Sequence, residues 1–150
     1  VIIKNPELRK MYADYMTASG FDYGEAGTFG LEAIRAAYKY GDEWLGSLME
    51  YINGNLEFLL SYVKKNIPKA KVMVPDATYL VWIDFSDYKI DSRTLHKTLK
   101  YEGKIWLDEG YLFGKAGEGF ERINIACPRK ILEEGLKRIK DCINKMDSKR

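Results

Sequence analysis

Between Asp42 and Asn66 the apolar residues Leu45, Leu48, Ile52, Leu56, Leu59 and Val63 recur at spacings of three and four, and Pro68 stops the run. That pattern predicts one amphipathic helix of about 24 residues, roughly 36 Å long, which is more than a small compact domain usually needs. Two readings fit such a length: a strut joining two domains, or a long core helix. Whichever holds, the rest of the chain must be organised around it.

Before this helix, Val1-Ile2-Ile3 reads as the end of a buried strand. Asn5-Pro6 then opens a helix with a capping side chain followed by proline. Its apolar face is Leu8, Met11, Tyr12, Tyr15 and Met16, and Gly20 ends it. Phe21 to Gly27 reads as a loop, and a short helix runs from Thr28 to Tyr40. Behind the long helix the pattern shifts to short strands and helices. Lys71–Val74, Thr78–Phe85, Lys104–Asp108 and Phe120–Ala126 read as strands. One helix from Asp91 to about Tyr101 and a last helix opened by Pro128 complete the set; Leu132, Leu136, Ile139, Ile143 and Met146 form the stripe of the latter. The expected organisation is a helical part, 1–66, followed by a small α+β unit, 67–150.

Composition removes several function classes. Lys+Arg 24 against Asp+Glu 22 gives a net charge of +2, which makes no electrostatic case for nucleic acid or an anionic membrane surface. No apolar stretch is long enough to cross a membrane, and no charged-then-apolar leader is present, so a cytoplasmic location is expected. One His and two Cys argue against most zinc sites, a disulfide framework and Ser-His-Asp chemistry, so no metal is expected. His96 falls beside Leu95 but off the Leu95–Leu99 stripe and is expected to face solvent. Cys142 borders an apolar stripe and reads as packing, and nothing near Cys127 marks it as activated. Gly110, Gly114, Gly117 and Gly119 invite a phosphate loop, but the motif lacks the residues of Walker A and feeds a strand rather than a helix. A mobile loop near a site is the better reading.

The strand Phe120–Ala126 carries the most chemical information. Alternation puts Ile123 and Ile125 on one face and Phe120, Arg122, Asn124 and Ala126 on the other. A guanidinium there can grip a carboxylate bidentately, as Lys cannot. A surface salt bridge, with Glu102 or Glu109 as partner, is the alternative, and spacing alone favours it.

Three segments carry a resemblance that spans essentially the whole chain. Phe113-Gly114, Gly117 and Phe120-Glu-Arg-Ile-Asn-Ile-Ala-Cys-Pro-Arg129 resemble the C-terminal signature of fold-type I pyridoxal-phosphate enzymes. Thr78-Tyr-Leu-Val-Trp-Ile-Asp-Phe85 is similar to a strand pattern of the MalY/PatB group of cystathionine β-lyases. Thr28-Phe-Gly, Ala36-Ala-Tyr38 and Gly41-Asp-Glu-Trp-Leu45 are similar to that group's segment before its long interdomain helix. The resemblance implies the C-terminal small domain of the aspartate-aminotransferase fold, preceded by helices and the long interdomain helix. It implies a homodimeric enzyme using pyridoxal 5'-phosphate to eliminate a thiol from an S-substituted cysteine such as cystathionine. Arg122 would bind the substrate's α-carboxylate, with Asn124 beside it, and the loop Gly24 to Phe29 would lie near the dimer interface. The family's Schiff-base Lys precedes a strand like Val1-Ile2-Ile3, so Lys4 is not that residue and no catalytic residue is assigned in this chain. With no initial Met, the sequence reads as the C-terminal portion of such an enzyme, inactive alone. Transamination, or a non-catalytic amino-acid-binding regulatory module, are the competing functions.

Overall fold

The computed structural model describes residues 2–20 and 27–148. These divide into two units, Val1–Leu45 and Gly46–Arg150, with the division falling in the first turn of the long helix.

In the first unit, α1 (Pro6–Ala18) starts as its sequence predicts: Asn5 Oδ1 accepts from the N–H groups of Glu7 and Leu8, and proline occupies the first turn. Helix α2 (Thr28–Tyr40) follows and ends at Gly41. Neither helix buries a residue, and Met11, Tyr15, Phe29, Ile34 and Tyr38 are all more than half exposed. The expected strand at the start is not formed by the residues described there. Ile2 is 95% exposed and neither it nor Ile3 joins a ladder, since an apolar run becomes a strand only where a neighbouring strand accepts its hydrogen bonds. The predicted loop from Phe21 lies, except for Gly27, outside the described residues.

The second unit is built on α3 (Asp42–Asn66), whose Ile52, Asn55, Leu59 and Val63 are buried. A four-stranded antiparallel sheet follows, in the order β1-β2-β4-β3, from β1 (Lys71–Met73), β2 (Leu80–Asp84), β3 (Asp108–Glu109) and β4 (Phe120–Asn124). Helix α4 (Ser92–Tyr101) connects β2 to β3, and α5 (Arg129–Asp147) closes the chain. The core is one apolar cluster in which Leu59, Val81, Ile83, Ile125, Leu136, Ile139 and Ile143 have no exposure. Strand β3 is shorter than the predicted Lys104–Asp108: Lys104 adopts a left-handed φ of 55° and Trp106 points to solvent, so pairing begins only at Asp108. The segment expected to be a mobile loop instead forms two short 3-10 turns, Gly110–Phe113 and Lys115–Gly117. The backbones of Gly110 and Gly117 meet there so closely that a Cβ on either would strike the other's carbonyl oxygen. These glycines serve close approach of backbone to backbone.

One polar side chain ties the unit together. Asn55, fully buried on α3, donates from Nδ2 to the carbonyls of Ile125 (2.8 Å) and Cys127 (2.9 Å), and its Oδ1 accepts from Arg129 Nε (2.8 Å). Nearby, the Arg129 N–H donates to Tyr51 Oη, and the Arg129 guanidinium lies over the Phe58 ring. Asn55→Ala should destabilise the chain by about 2–4 kcal/mol, because it removes the donor of the buried Ile125 carbonyl and of the half-buried Cys127 carbonyl. Asn55→Asp keeps the acceptor for Arg129 but loses both donors, and should fall close to Ala rather than to wild type in urea denaturation.

Candidate functional site

The sheet register sorts the polar residues into two rows. Met73, Trp82, Arg122 and Asp108 lie opposite one another across β1, β2, β4 and β3. The next row is Val72, Ile83, Glu121 and Glu109. Because side chains alternate along a strand, the first row projects from one face and the second from the other. The predicted alternation of β4 holds, with Ile123 and Ile125 buried and Arg122 and Asn124 on the opposite face.

Arg122 is half-buried, its side chain 24% exposed. Its Nε and Nη2 both donate to Asp108 Oδ2, at 3.1 and 2.9 Å. The guanidinium lies 4.5 Å from the Phe113 ring centre and 5.6 Å from that of Trp82, and these two rings meet edge to face at 5.1 Å. Both rings flank the cation closely enough for cation–π attraction, which adds to its salt bridge. Beside it Met73, Trp82, Phe113, Ala116, Gly117 and Phe120 line a hollow of about 320 Å³. The site therefore presents a cation framed by aromatic rings next to an apolar recess, which suits a ligand with a carboxylate and an apolar body. Asn124 is exposed, and its Oδ1 accepts from the Ala126 N–H at 2.8 Å, which turns the chain out of β4.

The salt-bridge partner differs from both candidates drawn from spacing. Glu102 pairs with Lys145 on the outer surface, and Glu109 points to the other face of the sheet. There it meets His96, which is 5% exposed rather than solvent-facing. Helix α4 buries Ser92, Leu95, His96 and Leu99, a stripe one residue wider than the leucines alone define. His96 Nδ1 lies 3.5 Å from Glu121 Oε2, and its Nε2, without a hydrogen bond among the described residues, lies 3.3 Å from Glu109 Oε1. Burial, and then the negative charges of Glu109 and Asp108, push the Glu121 carboxyl up to about 8. This His–Glu–Glu cluster fastens β3 and β4 to α4 behind the Arg122 face. Ser92 adds to it by accepting from the Gly119 N–H at 2.7 Å. Sequence reasoning missed the cluster, although one signal was available: alternation places Glu121 on the same face as Ile123 and Ile125. Both cysteines are quiet thiols, since burial raises Cys127 and Cys142 above the ordinary range.

No family model matches the chain. Individual proteins do. The cystathionine β-lyase PatB of Bacillus subtilis is 35% identical over 144 residues, 96% of this chain and 37% of the relative. The protein MalY of Escherichia coli is 34% identical over 136 residues, 90% of this chain and 34% of the relative. The chain belongs to the MalY/PatB group. Cystalysin from Treponema denticola, whose crystal structure contains pyridoxal 5'-phosphate, superposes with a TM-score of 0.86 at 33% identity, covering 96% of this chain and 36% of that one. The chain thus has the aspartate-aminotransferase fold that the MalY/PatB resemblance implied, its helices and small antiparallel sheet matching about a third of such an enzyme. The chain spans just over a third of the length of the MalY/PatB relatives it matches. Among the described residues, no helix is long and apolar enough to cross a membrane.

The raised Glu121 carboxyl sets a pH dependence whose sign follows from its direction. The folded chain holds this proton up to about pH 8, whereas the unfolded chain releases it near the ordinary value of 4.5. Rising pH therefore favours the unfolded state across that interval. Wild type should lose stability relative to Glu121→Gln between about pH 5 and pH 8, and the difference should level off above. Urea midpoints measured at several pH values check this; parallel profiles would contradict it.

Proposed function

We propose that this chain is the C-terminal, substrate-gripping portion of a pyridoxal-phosphate-dependent C–S β-lyase. Such an enzyme cleaves an S-substituted cysteine such as cystathionine to a thiol, pyruvate and ammonia. The observation that supports this most directly is Arg122: a guanidinium flanked by the Phe113 and Trp82 rings beside an apolar hollow, in a chain of the MalY/PatB group. On this reading Arg122 binds the α-carboxylate and fixes the orientation in which Cα is presented. Correct orientation of a reacting bond is among the larger sources of rate available to an enzyme. Asn124 contributes by ending β4 immediately beyond the clamp.

Pyridoxal phosphate would supply the electron sink that makes the Cα–H bond acidic. The residues here do not fit its anchor. A lysine that forms a Schiff base needs a desolvated amine, and no described lysine is buried, nor does any line the hollow beside Arg122. On this reading the anchor and the proton-transfer chemistry belong to other parts of the protein, and the chain alone is inactive. A homodimeric, cytoplasmic enzyme is the setting we infer for it. The apolar side chains exposed on α1 and α2 support a further covering surface in that assembly.

Elimination is preferred to transamination because the curated relatives covering most of the chain include cystathionine β-lyases. Incubating the full-length protein with cystathionine separates the two. Pyruvate and thiol should appear without added keto acid, whereas dependence on a keto-acid acceptor would indicate an aminotransferase. Arg122→Lys in that protein should raise KM and lower kcat/KM at least about 100-fold, because a point charge cannot replace a bidentate fork. Calorimetric titration of the 150-residue chain with free amino acids should show little binding. A tight, saturable response would instead favour a self-contained regulatory module.

A further inference from the structure

Arg122 is clamped by one edge only. A guanidinium has five N–H donors in a plane, arranged so that two different edges can each meet a carboxylate. Asp108 occupies the edge made by Nε and Nη2, and takes both bonds on the single oxygen Oδ2. The Nη1/Nη2 end has no hydrogen-bond partner among the described residues. We propose that Asp108 is a positioning residue for Arg122, holding the guanidinium by its Nε edge so that the Nη1/Nη2 end is presented to the carboxylate of the substrate. This assignment rests on the reading of Arg122 as the carboxylate clamp.

Three features support it. The pair is a poor stabiliser of the fold: the Asp108 side chain is 52% exposed, and exposed ion pairs contribute little. Its effect is therefore chiefly one of orientation. The rings of Phe113 and Trp82 flank the guanidinium at 4.5 and 5.6 Å without a directed bond, and the two Asp108 bonds decide which of its edges is held. Asp108 is itself placed by its neighbour. Strand β3 has only two residues, and the second, Glu109, is drawn to the opposite face toward His96, which sets the first across from Arg122. The other acids near in sequence, Glu102 and Glu109, are engaged elsewhere and cannot replace it.

The test uses the full-length protein with its cofactor. Asp108→Ala should raise KM for the amino-acid substrate about tenfold while kcat stays within about twofold. Asp108→Asn retains an oxygen acceptor and should recover most of that loss, which a role in bulk stability or net charge would not produce. An amine inhibitor lacking the carboxylate should bind all three proteins alike. In the 150-residue chain, the Arg122 Nε–H resonance should exchange slowly with solvent, faster in Asp108→Ala, and at an intermediate rate in Asp108→Asn. An unchanged or lowered KM in Asp108→Ala would overturn the proposal, the lowered value meaning that the aspartate obstructs the clamp. If Arg122→Lys raises KM and Asp108→Ala does not, only Asp108 is wrongly assigned. If Arg122→Lys also leaves KM unchanged, the reading of Arg122 itself fails.

Discussion

The buried amide of Asn55 joins parts of the chain some seventy residues apart. It satisfies the carbonyls of Ile125 and Cys127 at the point where β4 has ended and α5 has not begun, a stretch in which neither ladder nor helix can do so. By accepting from Arg129 it also fixes the first turn of α5 against α3. The exit of β4 is thereby set. Since β4 lies between β2 and β3 in the sheet, its placement determines which residues stand opposite Arg122 on either side. An amide in the core of a helix thus governs the geometry of a guanidinium on the far side of a sheet.

Within the sheet, two adjacent residues of β4 work in opposite directions. Glu121 is sealed against His96 and Glu109, and Arg122 pairs with Asp108 on the opposite face. The register makes these one construction, because the partner carboxylates are themselves adjacent on β3. The inward pair anchors the strands and the outward pair orients the cation. Removing either half would disturb the other through only one peptide unit.

Much of this was readable from residue order. Helices α1 to α5 announce themselves through apolar spacing and caps such as Asn5, because those signals are local. The face of β4 on which Arg122 lies, opposite Ile123 and Ile125, follows from alternation alone. What could not be read was who meets whom. Asp108 lies 14 residues from Arg122, His96 lies 25 from Glu121, and Asn55 lies 70 from Ile125. Only the strand order and the packing of α3 and α4 bring these together. His96 illustrates the limit well. Its position off the leucine stripe is correct, yet the helix buries a wider stripe because a carboxyl waits beneath it. The glycines at 110 and 117 were similarly conspicuous, but their reason is a crossing of two backbones that no spacing rule encodes.

The strand order has one more effect. The sheet ends on β1, three residues long, and on β3, two residues long and both acidic. Open sheet edges invite another chain to pair with them, and short or charged edges discourage it. Here little backbone is offered on either side, and on one side any incoming strand would meet Asp108 and Glu109 at once. The domain is closed to growth by strand addition. Its associations are therefore left to helix faces and side-chain surfaces, where shape and charge can discriminate between partners in a way that bare backbone cannot.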